Sequence, residues 1–442
     1  MQSLESLRPG GASRRFRATL TSAVACVLAA SGLAACGSDG PGGRGGDTLE
    51  VWVYQDGSTR LQEELVEQFN ETSDIDINLT QIPGENYQER MRTAMGSPNA
   101  PDIFFNWGGG SISDFVAEDM LVDLTDVLAD DPEFGGAFIP AILDAGAVDG
   151  RHYGVPMRGV QPVILFWNRT LFEEAGVEAP QDWDDFRSLV GTFADRDITP
   201  VALGGADTWT ELMWLEYLLD RFGGAEVFDA IRNGDPAAWG DPAVLTAAQE
   251  IASLVDDGAF GNNFRSVAYT NDGVSTFFAQ GGAAMHLMGS WEFANQLANQ
   301  PEFAADDLAW APFPAIADGA GDPASLVGNP TNYWSVNADV EGERLDAAIE
   351  FLKLHGGEDY ARSLVANGDI PTTTGAEALL DEAPEPEYAR FQYDMVENAP
   401  SFTLSWDQAL PARQATPMLD AIEQLFGGQL SPEEFVAAMQ EL

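Results

Sequence analysis

Residues 48–54 (TLEVWVY) alternate in the manner of a strand, and Leu61, Leu65, Val66 and Phe69 then recur at helical spacing. The same order returns down the chain. A second strand is expected at 75–79, a helix at 87–95, and a short buried strand at 101–105 (PDIFF). Farther on, 163–168 (VILFWN) reads as an apolar strand running into a helix at 170–175. Apolar segments at 199–203 and 283–288 come next, with helices between them. Leu345, Ile349 and Leu352 share one face of a helix over 344–354. The last helix carries a capping box, with Ser431 as N-cap, Pro432 in the first turn and Glu434 three residues after the cap. Strands alternating with helices build α/β layers, because each sheet face needs an apolar cover. No internal repeat stands out.

The first 35 residues have the parts of a secretory signal: Arg14, Arg15 and Arg17, a largely apolar run, then small residues. The run is short and rich in Ala and Ser for a membrane-spanning helix. Leu33-Ala34-Ala35-Cys36 resembles a bacterial lipobox, which implies cleavage before Cys36 and lipid on that cysteine. Residues 36–47 are glycine-rich and read as a flexible tether. The chain beyond the leader, roughly 400 residues, exceeds one typical core and suggests two lobes.

Composition excludes several functions. The formal charge is −50, which argues against nucleic acid or an anionic membrane face as a partner. The only two cysteines are Cys26 in the leader and Cys36, so the folded part has no disulfide to draw on. His152, His286 and His355 stand far apart, without metal-ligand spacing, so no metal or other cofactor is expected. Asp74-Ile75-Asp76-Ile77-Asn78 imitates the start of an EF-hand loop, but Leu79 stands where glycine is needed. A P-loop phosphate cradle is absent from the sequence.

The stretch PDIFFNWGGGSISDFVAEDMLVDLTD, the later DGRHYGVPMRG and LFWNRTLFEEAGVEAPQDWDDF, and FFAQGGAAMHLMGSWEFAN together resemble the extracellular solute-binding proteins of ABC sugar importers, of which maltose-binding protein is the best-known relative. The resemblance covers essentially the whole chain after the leader. It implies an α/β, two-lobed periplasmic-binding-protein-like fold (type II), with the ligand cleft between lobes. One lobe is expected at 48–156 plus 315–366 and the other at 160–311 plus 368–442. The proline-rich 310–314 (WAPFP) is taken as a crossing between them. It further implies a monomer on the outer face of the cell membrane, anchored through Cys36, that carries an oligosaccharide to permease subunits served by a separate ATPase. No covalent chemistry is implied.

Sugar sites combine aromatic faces, which stack on pyranose C–H patches, with planar polar groups for the hydroxyls. Trp107 and Trp291 follow strands at glycine-containing turns and match places where the family lines its cleft; Trp209 and Trp406 are similar. Trp334 is split between cleft and strand core, and Trp52, Trp167 and Trp183 are read as core. The polar candidates are Tyr54, Asp56 and Ser58 at the end of the first strand, where open α/β sheets place ligands. A helix N-cap is the alternative role for Ser58. Glu85, Asn106, Arg158, Asp207 and Asp407 complete the set. The FFNWGGGSI stretch is most similar to binders of β-linked disaccharides and xylo-oligosaccharides. A secreted carbohydrate hydrolase and a receptor for another solute, such as a peptide, are the competing readings.

Overall fold

The computed structural model describes residues 48–84 and 87–442. The leader, the tether, Cys36 and Glu85 lie outside the described residues. Gly45–Leu442 form one compact unit, built on two sheets.

The first sheet has the order β2-β1-β3-β10-β4, from β1 (Thr48–Gln55), β2 (Asp76–Pro83), β3 (Ile103–Asn106), β4 (Val155–Pro156) and β10 (Tyr333–Val336). β1 is parallel to β2 and β3, while β10 runs antiparallel to β3 and β4. Leu49, Val51 and Val53 are fully buried on one face of β1, and Trp52 and Tyr54 are half-buried on the other. Both faces are therefore covered, as parallel sheets require. The helix Thr59–Asn70 lays Leu61, Leu65, Val66 and Phe69 into this core.

In the second sheet the order is β11-β9-β5-β7-β6, from β5 (Gln161–Asn168), β6 (Thr199–Ala202), β7 (Ala283–Gly289), β9 (Leu326–Asn329) and β11 (Phe402–Leu404). β8 (Leu308–Ala311) pairs with the far half of β5, on the edge that β9 pairs nearer its start. The core beneath is larger and more aromatic than the first. It includes Phe166, Trp214, Tyr217 and Phe313, and the C-terminal helix Pro432–Met439 docks there through Phe435 and Met439. Its capping box forms in full, with Glu434 N donating to Ser431 Oγ and Ser431 N to Glu434 Oε2. Trp183 is buried in this core and Trp167 packs against it, while Trp52 packs against the first.

The chain passes between sheets first at 157–160 and again at 330–332. The expected boundary near 312–315 is thereby corrected. β8 stays on β5, the segment after it returns to bridge Asp182 through Ala315, and β9 pairs with both β5 and β11. Residues 312–329 thus belong to the second lobe. Pro312 and Pro314 interrupt strand pairing, but an interruption of pairing need not be a change of lobe. A third passage starts at Gly368, and the three strands of backbone lie side by side. Met157 N donates to Asn332 O at 2.8 Å, Thr331 Oγ1 to Arg158 O at 2.8 Å, and Val160 N to Ile370 O at 2.8 Å. A small third core, with Ile142, Val160, Val365 and Ile370, covers this hinge.

Candidate functional site

On the first lobe the ends of β1 and β3 converge on an aromatic cluster. Trp107 meets Phe105, Tyr87 and Tyr54 edge to face, at centroid distances of 4.9, 5.7 and 5.8 Å. Phe105 and Tyr87 are buried, whereas Trp107 and Tyr54 are half-buried above them. The Tyr54 ring lies over Gly84, where any Cβ would strike it. Its phenol is pushed up to about 12 by burial, with the Asp56 and Asp207 carboxylates adding to the effect. Asp207 belongs to the second lobe. After Trp107 the backbone turns through Gly108 (φ 72°) and Gly109 (φ 52°), a left-handed path that favours glycine. Asn106 shapes that turn: Oδ1 accepts from Gly108 N at 2.8 Å and Nδ2 donates to Ser335 Oγ at 2.9 Å. Being buried as well, Asn106 supports Trp107 from behind instead of facing the cleft.

Arg158 sits in the first hinge strand, almost wholly buried, in an ion pair with Asp56. Its guanidinium lies 5.5 Å over the Phe105 ring and donates to Tyr54 O at 3.4 Å. The Asp56 carboxylate also accepts from Ser58 N at 2.9 Å, so much of its acceptor capacity is taken within the lobe. Ser58 occupies the N-cap position without a side-chain cap bond. Its hydroxyl instead accepts from Asn367 Nδ2 at 3.3 Å, and the same amide donates to Asp369 Oδ2 at 2.8 Å in the third hinge strand. Burial raises the Asp369 carboxyl to about 6, opposed by the hydrogen bond from Asn367 and by the charge of Arg158. Arg158, Asp56, Ser58 and Asp369 thus form a polar hinge cluster.

The second wall grows from the ends of β6 and β7. Trp209, first residue of the helix Trp209–Gly223, meets Tyr269 edge to face at 5.3 Å and Trp291 at 6.2 Å. All three rings are half-buried. The Trp291 indole lies over Gly289, leaving no room there for a Cβ. Asp207 clamps the loop that carries Tyr269, accepting from Tyr269 N at 2.7 Å and Thr270 N at 2.9 Å. From the other side the buried Glu292 accepts from Tyr269 Oη at 3.0 Å, Ser275 Oγ at 2.9 Å and Gln296 Nε2 at 2.6 Å. Tyr269 is therefore fixed at both ends. Behind Trp209, Glu211 is fully buried, and neither carboxyl oxygen finds a partner among the described residues. Burial pushes that carboxyl up to about 9.

Two tryptophan expectations are corrected. Trp334 is fully buried on β10, donates Nε1 to His355 Nε2 at 2.9 Å and packs in the first core. All four residues of β10 are buried, so both faces of the sheet are covered at this strand. Trp406 is 1% exposed, stacked on Phe228 at 4.4 Å with Trp239 against its edge. The preceding loop is pulled inward by Glu216, whose Oε1 accepts from Trp406 N at 2.7 Å and Ser405 Oγ at 2.8 Å. Asp407, next along, is less buried; its carboxyl is raised to about 6 by burial and accepts from Gln408 Nε2 at 2.8 Å. Tyr269, Glu292 and Asp369 were not among the sequence candidates. Glu292 follows the candidate Trp291 in the FFAQGGAAMHLMGSWEFAN stretch, whereas Tyr269 and Asp369 stand in segments without motif character that only packing brings into place.

Each lobe thus carries a half-buried aromatic group at its strand ends with a carboxylate behind it, a surface suited to stacking on a flat, polar-edged molecule. Comparison with known proteins bears on the fold and the family. A structure from Caldanaerobius polysaccharolyticus, from work on xylan utilization, superposes with a TM-score of 0.81 at 25% identity, covering 89% of this chain and 99% of that one. A chitin oligosaccharide binding protein gives 0.79 at 24% identity, covering 90% and 98%. A probable sugar-binding periplasmic protein of Rhizobium meliloti is 23% identical over 361 residues, 78% of this chain and 80% of that protein. Other curated relatives match over less: the chain spans about half of their length, as with 48% of an uncharacterized ABC transporter extracellular-binding protein from Pyrococcus horikoshii. The model of the bacterial extracellular solute-binding proteins matches residues 54–361, from the first cleft strand to the helix behind the hinge, and the chain belongs to that family.

Proposed function

We propose that this protein is the receptor of an ABC importer that captures an oligosaccharide outside the cell and hands it to a membrane permease driven by a separate ATPase. The observation that carries this reading is the half-buried aromatic group at the strand ends of each lobe, Trp107 with Tyr54 on one and Trp209 with Trp291 and Tyr269 on the other. One pyranose ring covers one or two such faces, so platforms on both walls favour a ligand of at least two rings. Carboxylates and amides at the rim supply acceptors and donors for hydroxyls. The names of the relatives, which speak of sugars, xylan and chitin oligosaccharides, support the same class. A β-linked disaccharide or xylo-oligosaccharide is the preferred cargo. Membership in an extracellular family places the working site outside the cytoplasmic membrane. The Leu33-Ala34-Ala35-Cys36 sequence supports a lipid tether there. The bound molecule is released unchanged, and the receptor acts as a monomer.

The test is a tryptophan-fluorescence and thermal-shift titration of the chain from Gly37, against xylobiose, cellobiose, chitobiose, maltose, raffinose, a dipeptide and calcium, with product analysis on each hit. Saturable binding of an oligosaccharide without turnover is expected. Turnover would make the protein a hydrolase, and a response to the dipeptide or calcium alone would remove the sugar reading.

A further inference from the structure

Apart from the hinge, the two lobes also meet backbone against backbone. The glycine turn 108–110 of the first lobe lies against the short helix Trp406–Ala409 of the second. A Cβ on Gly110 would collide with the carbonyl oxygen of Ala409 and stand 2.9 Å from that of Gln408. A Cβ on Gly109 would press the Leu404 side chain at 3.2 Å. Only a residue without a side chain permits so close an approach. Beside this contact a hydrogen bond spans the lobes: Gln88 Nε2, from the helix Tyr87–Met95, donates to Gln408 Oε1 at 2.9 Å.

The orientation of that amide is imposed. Asp407 accepts from Gln408 Nε2 at 2.8 Å. An ionised carboxylate offers only acceptors, so the amide nitrogen must face Asp407, and its oxygen is left for Gln88. Asp407, Gln408 and Gln88 form a relay whose last link exists only when the lobes are together.

We propose that Gly110 and the Gln88–Gln408 pair are positioning residues, a latch that sets how long a captured ligand stays in the cleft. The proposal rests on the receptor reading given above. A ligand held between lobes leaves when they part, so contacts made only in the closed form slow its departure. They contribute nothing to first encounter with the open cleft. Apparent affinity then depends on the closed population as well as on contacts to the ligand itself.

Stopped-flow tryptophan fluorescence with the sugar identified by titration separates the two rates. Gln88→Ala and Gln408→Ala should each raise the dissociation rate about three- to tenfold, with the association rate changed by less than about twofold. The double variant should be no worse than either single one, because one bond is lost in each. Gly110→Ala should have a larger effect, at least about tenfold, since the added methyl obstructs closure. Unfolding midpoints without sugar should stay near that of the unaltered chain. Unchanged dissociation rates, or association slowed as much as dissociation is quickened, would overturn the latch. A second measurement needs no sugar. The chain from Gly37 contains the compact unit Gly45–Leu442 and lacks both natural cysteines. Gln88→Cys with Gln408→Cys should be joined by a short bis-maleimide, and neither single variant should react this way. Because a cross-linker traps each transient closure, failure of the cross-link after long incubation, both without sugar and with the sugar panel present, would sink the latch. Cross-linking without binding by any sugar would sink the receptor reading alone.

Discussion

On the first wall of the cleft, Trp107 and Tyr54 rest on Tyr87 and Phe105, and the carboxylate behind them, Asp56, is neutralised by the buried Arg158. On the second wall, Trp209 and Trp291 rest on Tyr269, and the carboxylate behind them, Glu292, is met by a phenol, a hydroxyl and an amide. The two walls present similar rings to the cleft but hold them by different means. One is tied to a charge that also lies in the hinge. The other is tied to neutral donors that stay within its own lobe. Damage to the first anchor should therefore reach the hinge and the whole fold, while damage to the second should remain local.

The largest effects should come from groups that hold the walls up without facing the ligand. Arg158→Leu leaves Asp56 and Asp369 without their buried cation, and such an orphaned charge costs about 3–5 kcal/mol. Chemical denaturation should show that loss in the ligand-free protein. A cost below about 1 kcal/mol would mean water replaces the guanidinium and the hinge cluster is not structural. In the second lobe Trp406→Ala should cost about 3–5 kcal/mol of stability through the cavity it leaves beside Phe228. If sugar affinity fell while stability held, Trp406 would be a cleft residue after all.

Intermediate effects belong to the half-buried rings. Trp107→Ala and Trp291→Ala should each weaken sugar binding by about 1–3 kcal/mol, measured by calorimetric titration, with little change in unfolding midpoint. Equal affinity in both variants would remove both corners from the site. A difference between them would instead rank the two walls.

Glu211 gives the most pH-dependent effect, absent near pH 5 and growing as pH rises. Its folded value of about 9 lies above the ordinary 4.5 of the carboxyl. Between those values the folded protein keeps a proton that the unfolded chain has released, so stability falls as pH rises through the window. The limiting slope is about 1.4 kcal/mol per pH unit for one group. Glu211→Gln keeps the shape and removes the titration. Its unfolding midpoint should exceed that of the unaltered protein at about pH 8, and the difference should shrink toward about pH 5. Parallel pH curves for the two proteins would show that Glu211 is solvated.

Secondary structure and layer class were legible because they rest on local patterns. Alternation in TLEVWVY, the face formed by Leu61, Leu65, Val66 and Phe69, and the Ser431/Glu434 cap each appear where the sequence places them. The glycine turn after β3 and the glycine under Trp291 were also readable, since a residue without a side chain signals close approach. What an aromatic side chain faces was not readable. Trp107 and Trp334 lie across the same strand pair, where Trp334 sits opposite Phe105, yet one reaches the cleft and the other fills the core. That difference comes from an antiparallel strand returning from the far lobe, a contact more than 200 residues long in sequence. The second crossing was misplaced for the same reason. Prolines mark a break in pairing, and only the pairing of β9 with β5 and β11 says which lobe the chain then enters. Sequence by itself determined the elements and the family. Tertiary structure decided which rings are bare, which carboxylates are already engaged and where the lobes meet, because burial and partnership depend on segments far apart in the chain.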